Sequence, residues 1–202
     1  MSISIKASVF CNQGEECGKT FCVIVNPRTD EMTHVVVEEK NFPYAKRIVP
    51  IALVEEATEK SIQLSCTKKE FFQMENFIEH QYIPAEKTYG VFPFGQKIYI
   101  PYSNYSYDLA DVTRENVPDG GITFHPGTSI EATDGKIGQV DEFLVDPVSE
   151  QITHLVMKEG HLWNKKEIAI PASEIDRVEN DVVHLKISKT EIESLPSLES
   201  LM

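Results

Sequence analysis

Apolar positions along this chain fall in short runs and in strict alternation, with turn residues between them. The clearest example is residues 135–171, GKIGQVDEFLVDPVSEQITHLVMKEGHLWNKKEIAIP. Phe143, Leu144 and Val145 end one strand. Asp146-Pro147-Val148-Ser149 is a turn, because Pro presets φ and the Asp side chain bonds to backbone beyond it. Residues 152–157 are β-branched and aliphatic and make the next strand. Residues 160–166 reverse the chain, and Ile168-Ala169-Ile170 is a short strand closed by Pro171, which cannot donate to a ladder. Residues 176–181 turn it again, and residues 182–187 form a last strand. Asp134-Gly135, ahead of all this, is a hairpin dipeptide. Short strands with regular turns and no long helical period predict a small barrel or sandwich.

The pattern occurs twice. About 120 residues upstream the chain reads CGKTFCVIVNPRTDEMTHVVVEEKNFPYAKRIVP, residues 17–50, and such a recurrence marks one structural unit used again. Gly18 matches Gly138, Val25 matches Val145, Pro27 matches Pro147, and Thr33-His34 matches Thr153-His154. One residue of slip at the hairpin tip then brings Pro50 onto Pro171, Leu64 onto Leu185, Lys68 onto Lys189 and Glu70 onto Glu191.

The DG turn, the strand ending in DP, the ITHLV strand, the GHLW tip and the strand ending in IP together resemble the PRC-barrel family. That family includes the cytoplasmic domain of the photosynthetic reaction-centre H subunit and the C-terminal domain of a bacterial ribosome maturation factor. The resemblance covers residues 128–192 and, in looser form, residues 5–71. In the first copy Asn26 replaces the Asp before Pro, and the tip becomes Asn41-Phe42-Pro43-Tyr44. It implies an all-β chain with short helices: two small antiparallel PRC-type β-barrels in tandem. It implies a binding and assembly module, not an enzyme. The domains expected are a first repeat over residues 1–77, an aromatic-rich linker over 78–126 packing on the barrels, and a second repeat with a C-terminal tail over 127–202.

Outside the matched cores, residues 3–10 alternate as a first strand of copy one. Residues 54–56 and 175–177 read as short helical turns, and residues 67–79 as a helix with Thr67 and Glu70 in a capping box. Ser188 and Glu191 repeat that box. Beyond it Ile192, Leu195, Leu198 and Leu201 recur every third residue, with Pro196 among them, which predicts a docked first half and a frayed end. The linker holds Tyr82, Tyr89, Phe92, Phe94, Tyr99, Tyr102, Tyr105 and Tyr107, too aromatic for a free flexible segment. Residues 98–100 are a candidate extra strand within it.

Charge narrows the partners. Lys+Arg is 19 against Asp+Glu 32, a net charge of −13, and such a surface repels phosphate backbones, so no nucleic acid is expected. No apolar run reaches the ~20 residues of a bilayer span, so no membrane span is expected and a cytoplasmic protein is the default. In that compartment thiols stay reduced, and Cys11, Cys17, Cys22 and Cys66, lacking close zinc spacing, read as small buried hydrophobes. Small repeats have thin cores, so the two should pack on each other.

Candidate chemistry is sparse. The matched His34 and His154 titrate near neutrality, yet each sits mid-strand without a nucleophile or second ligand beside it in sequence, which reads as structural hydrogen bonding. Tips are the better candidates: His161 and Trp163 in copy two, Phe42 and Tyr44 in copy one, since Trp and Tyr are frequent anchors at interfaces. No GxSxG, P-loop, GxGxxG or HExxH is present. The expectation is a module with no catalytic residues, cofactor or metal, recognising a protein partner through barrel faces and aromatic tips. Matching edges on two barrels also make a homodimer an available arrangement. The competing reading is a small-molecule or metal-binding protein, sensor or enzyme, using the cleft between barrels with His34, His154 and the linker tyrosines.

Overall fold

A computed structural model describes residues 1–84, 109–118, 120–159 and 167–198. The strands, in chain order, are β1 (Ser2–Ser4), β2 (Ser8–Phe10), β3 (Glu16–Asn26), β4 (Glu31–Glu39), β5 (Lys46–Pro50), β6 (Val54–Ala57) and β7 (Ser61–Leu64). Helix α1 (Lys68–Phe72) follows, then β8 (Ile78–Pro84), β9 (Leu109–Glu115) and β10 (Ile122–Phe124). The second half carries β11 (Ser129–Ala132), β12 (Gly135–Val145), β13 (Ile152–Glu159), β14 (Glu167–Pro171), β15 (Ile175–Glu179), β16 (Val182–Leu185) and helix α2 (Lys189–Glu193).

The chain is mostly β, with two seven-stranded sheets of one topology. The first runs β5-β4-β3-β2-β7-β6 and the second β14-β13-β12-β11-β16-β15. Among the described pairings none joins β5 to β6 or β14 to β15. The repeat holds rung by rung: Ile24 opposes His34 and His34 opposes Pro50, as Leu144 opposes His154 and His154 opposes Pro171. Even the bulges coincide, between Thr20 and Cys22 and between Val140 and Glu142. The central hairpin turns are also alike. The Asn26 side chain accepts from the Arg28 amide, and Asp146 accepts from the Val148 and Ser149 amides.

Each sheet takes its seventh strand from the start of the other repeat. β1 pairs with β12, placing Ile3 opposite Phe143, and β10 pairs with β3, placing Phe124 opposite Val23. The two central turns lock reciprocally: the Met32 amide donates to the Glu150 carbonyl and the Ile152 amide to the Asp30 carbonyl, both at 2.9 Å. Buried residues of both repeats therefore form one core, in which Phe124 meets Phe143 edge to face at 5.3 Å between ring centres. Such a contact contributes about 1 kcal/mol beyond its burial. The expected packing of repeat on repeat is thus continuous pairing, and β1 belongs to the second sheet, not to copy one as its sequence position implied.

Compact units divide at residues 78–116, a segment that carries the antiparallel β8–β9 hairpin, and the two repeats fall together in the remainder. The candidate strand at residues 98–100 and most linker tyrosines lie outside the described residues.

Three local expectations need correction. The helix read over residues 67–79 stops at Phe72. After it, Asn76 bridges to Arg47 and Ile78 begins a paired strand, so tertiary pairing ends what the sequence alone would continue. The helical turns read at residues 54–56 and 175–177 lie three residues earlier, as 3-10 turns Ile51–Leu53 and Ala172–Glu174 set directly after Pro50 and Pro171. Finally, Cys11 and Cys17 are disulfide-bonded, not reduced, because the β2–β3 connection brings their Cα atoms to 6.1 Å, within bridging range. Cys22 and Cys66 lie outside that disulfide and are buried, as read.

Both capping boxes form. The C-terminal tail copies the end of the first repeat: Ile192 and Leu198 are buried where Phe71 and Phe77 are, and Ser197 bridges to Ile168 as Asn76 does to Arg47. The first half of the tail is docked as expected; residues 199–202 lie outside the described residues.

Candidate binding surface

The β4–β5 tip is built on a closed loop. The Glu39 amide donates to the Ala45 carbonyl at 2.8 Å, and the Tyr44 amide to the Asn41 carbonyl at 2.8 Å. Tyr44 holds φ at +58°, a value that turns the chain back sharply. On one flank Lys40 is ion-paired with Glu16, which holds the Glu16 carboxyl below its ordinary range. Beneath the loop Arg47 donates to the Glu39 carboxylate at 2.7 Å and to the Met74 carbonyl at 2.9 Å. Glu39 is buried, so the guanidinium supplies the partner that a buried charge requires.

That frame presents two rings to solvent. Phe42 is 86% exposed and Tyr44 57%, and they meet edge to face with ring centres 6.2 Å apart. The matching tip of the second repeat, with His161 and Trp163, lies outside the described residues.

His34 and His154 occupy matching rungs and face different surroundings. The Nδ1 atom of His34 is buried with no hydrogen-bond partner among the described residues. Burial holds its pKa below the ordinary 6.5, with the Glu75 charge opposing that shift. His154 Nδ1 lies 3.2 Å from the Thr153 hydroxyl, and burial lowers its pKa too. A neutral, partly buried imidazole in mid-strand fits a packing role. Among the described residues no group of three His, Cys, Asp or Glu side chains converges as a metal site would require. No helix among them is long and apolar enough to cross a membrane.

A second aromatic group was not legible in the sequence. Phe21, Phe77 and His125 meet with ring centres 5.8 to 6.4 Å apart, and the Lys46 ammonium sits 4.2 Å over the Phe21 ring. These residues come from β3, the end of the first repeat, the strand entering the second, and β5, so only the fold assembles them. The cluster braces the exchanged strand β10 against the first sheet.

No protein-family model matches the chain, and no curated protein matches it in sequence.

Proposed function

We propose that the protein is a non-catalytic binding or assembly module whose two sheets are PRC-type barrels and whose contact with a protein partner centres on Phe42 and Tyr44. The observation that carries this reading is the exposure of two adjacent rings on a hydrogen-bonded tip. Aromatic rings left in water gain nothing for the fold, whereas rings held in place lose little freedom on binding and anchor interfaces well. The shared core beneath them makes a rigid platform, as a recognition surface needs. Trp163, at the matching position in sequence, belongs to the same proposal as a second anchor. The acidic surface favours a partner that is not a nucleic acid.

The test is a comparison of baits. The natural protein, a Phe42→Ser/Tyr44→Ser variant and a Trp163→Ala variant are used to capture partners from a native cell extract. A partner held by the natural protein and lost with a tip variant of unchanged melting temperature supports the reading. Equal capture by all three baits, or none from folded protein, contradicts it.

A further inference from the structure

A cavity of about 610 Å³ opens where the starts of the two repeats converge on β12. Its wall includes Ile5, Lys6, Pro126, Gly127, Lys136 and Asp141. That volume lies in the range of small-molecule sites. The cavity is independent of the aromatic tip, which contributes no residue to it.

Two features set its chemistry, and the internal repeat acts as the control for both. Lys6 occupies the position that Gly127 fills in the second repeat, as the register of β1 and β10 shows. Both have positive φ, +106° and +93°. Glycine reaches this region freely, and a lysine does so only under strain. The first repeat therefore holds a strained backbone together with an ammonium group at the cavity. Lys136 lies opposite Glu131, at the place that Glu16 takes opposite Phe10 in the first repeat, so charge is reversed between the repeats there. Among the described residues neither Lys6 nor Lys136 enters an ion pair or a side-chain hydrogen bond, while the chain as a whole carries a net charge of −13. Two unspent cations on one concave wall of an acidic protein make a local anion site.

We infer that this cavity binds a small organic anion, its carboxylate or phosphate held by Lys6 and Lys136. The apolar wall of Ile5 and Pro126 takes the body of the ligand.

The experiment is an amide-resolved NMR titration of the full chain at fixed ionic strength, with adenosine monophosphate, citrate and neutral adenosine as probes. Saturable shifts at Gly127 and Gly138 with adenosine monophosphate alone assign a phosphate, with citrate alone a carboxylate, and either supports the site. Adenosine should leave both amides in place. Lys136→Gln and Lys6→Gly should each weaken the effective probe by roughly tenfold. Lys6→Gly should also melt no earlier than the natural protein, which separates lost binding from lost fold. No saturable shift with either anion, or shifts that survive both substitutions, would overturn the inference.

Discussion

Where the first repeat carries Arg47, the second carries Ile168; where the first joins Cys11 to Cys17, the second has Ala132 and Ile137. The ladders around these positions match in register. One scaffold is thus filled in two ways. At these positions the first repeat uses a buried ion pair and a covalent link, and the second carries apolar side chains. What the two keep in common is the set of features that fix backbone direction: the Asx-type turns, Pro50 and Pro171 at the edge strands, the coincident bulges and the two capping boxes. Fold here resides in turn chemistry and in the inward pattern, and particular core residues are exchangeable.

The largest test of this comparison acts on the exchanged strands. Phe124→Ala should cost about 3–5 kcal/mol, because a fully packed ring leaves a cavity between the sheets. Ile3→Ala on the reciprocal strand should cost about 2–4 kcal/mol. Chemical denaturation measures both, and losses below 1 kcal/mol would show that the exchanged strands are ornamental.

Next in size is the ion pair. Arg47→Ala should cost about 2–3 kcal/mol, since it strands the Glu39 carboxylate in a nearly dry site. Removing both charges, Arg47→Ile together with Glu39→Gln, should recover most of that loss, because no buried carboxylate is then left without a partner. If the double variant is no more stable than Arg47→Ala, the stranded Glu39 carboxylate is not the source of the loss.

How much of this was legible in the sequence follows from what each signal depends on. The repeat, the central hairpins and both capping boxes rest on local residue order, and each was read correctly. The Gly18–Gly138 match was visible, but its cause was not: a Cβ at Gly18 would strike the carbonyl of Glu38 on the neighbouring strand. The exchange of β1 and β10 was invisible, because alternation shows that residues 3–10 are extended but not which sheet receives them. The disulfide was not legible because a cytoplasmic default implies reduced thiols, and the Cα approach that the β2–β3 connection creates has no signature in the spacing. At the candidate surface the aromatic tip of the first repeat was legible from Phe42 and Tyr44. The anion cavity was not, since Lys6 and Lys136 are distant in sequence and φ at Lys6 has no signature.

Acid should weaken the protein in two stages. His34 and His154 have lowered pKa values in the fold, so the unfolded chain binds their protons more readily. Their contribution is complete above the ordinary 6.5 and declines as pH falls below it. Glu70, Glu191 and Asp146 are lowered by the amides they cap, so their contribution is complete above the ordinary carboxylate range and is lost below it. His34→Gln should flatten the first stage in a series of melting curves against pH, and Glu70→Gln the second. An unchanged profile in His34→Gln would remove that histidine from the account.

The smallest effects concern caps and strain. Thr67→Ala and Ser188→Ala should each cost about 1 kcal/mol, and by similar amounts if the repeats are equivalent at this point. Lys6→Gly should stabilise by about 1 kcal/mol, the left-handed strain relieved less the entropy that glycine adds to the unfolded chain.

The central structural claim is that the two repeats, joined by reciprocal strands and turns, are one cooperative body. It is tested most directly by a urea titration followed at single amides, with Val36 reporting on the first sheet and Val156 on the second. Coincident transitions, both displaced together by Phe124→Ala, are the result predicted. Separate midpoints for the two sheets, or displacement of one alone, would contradict it.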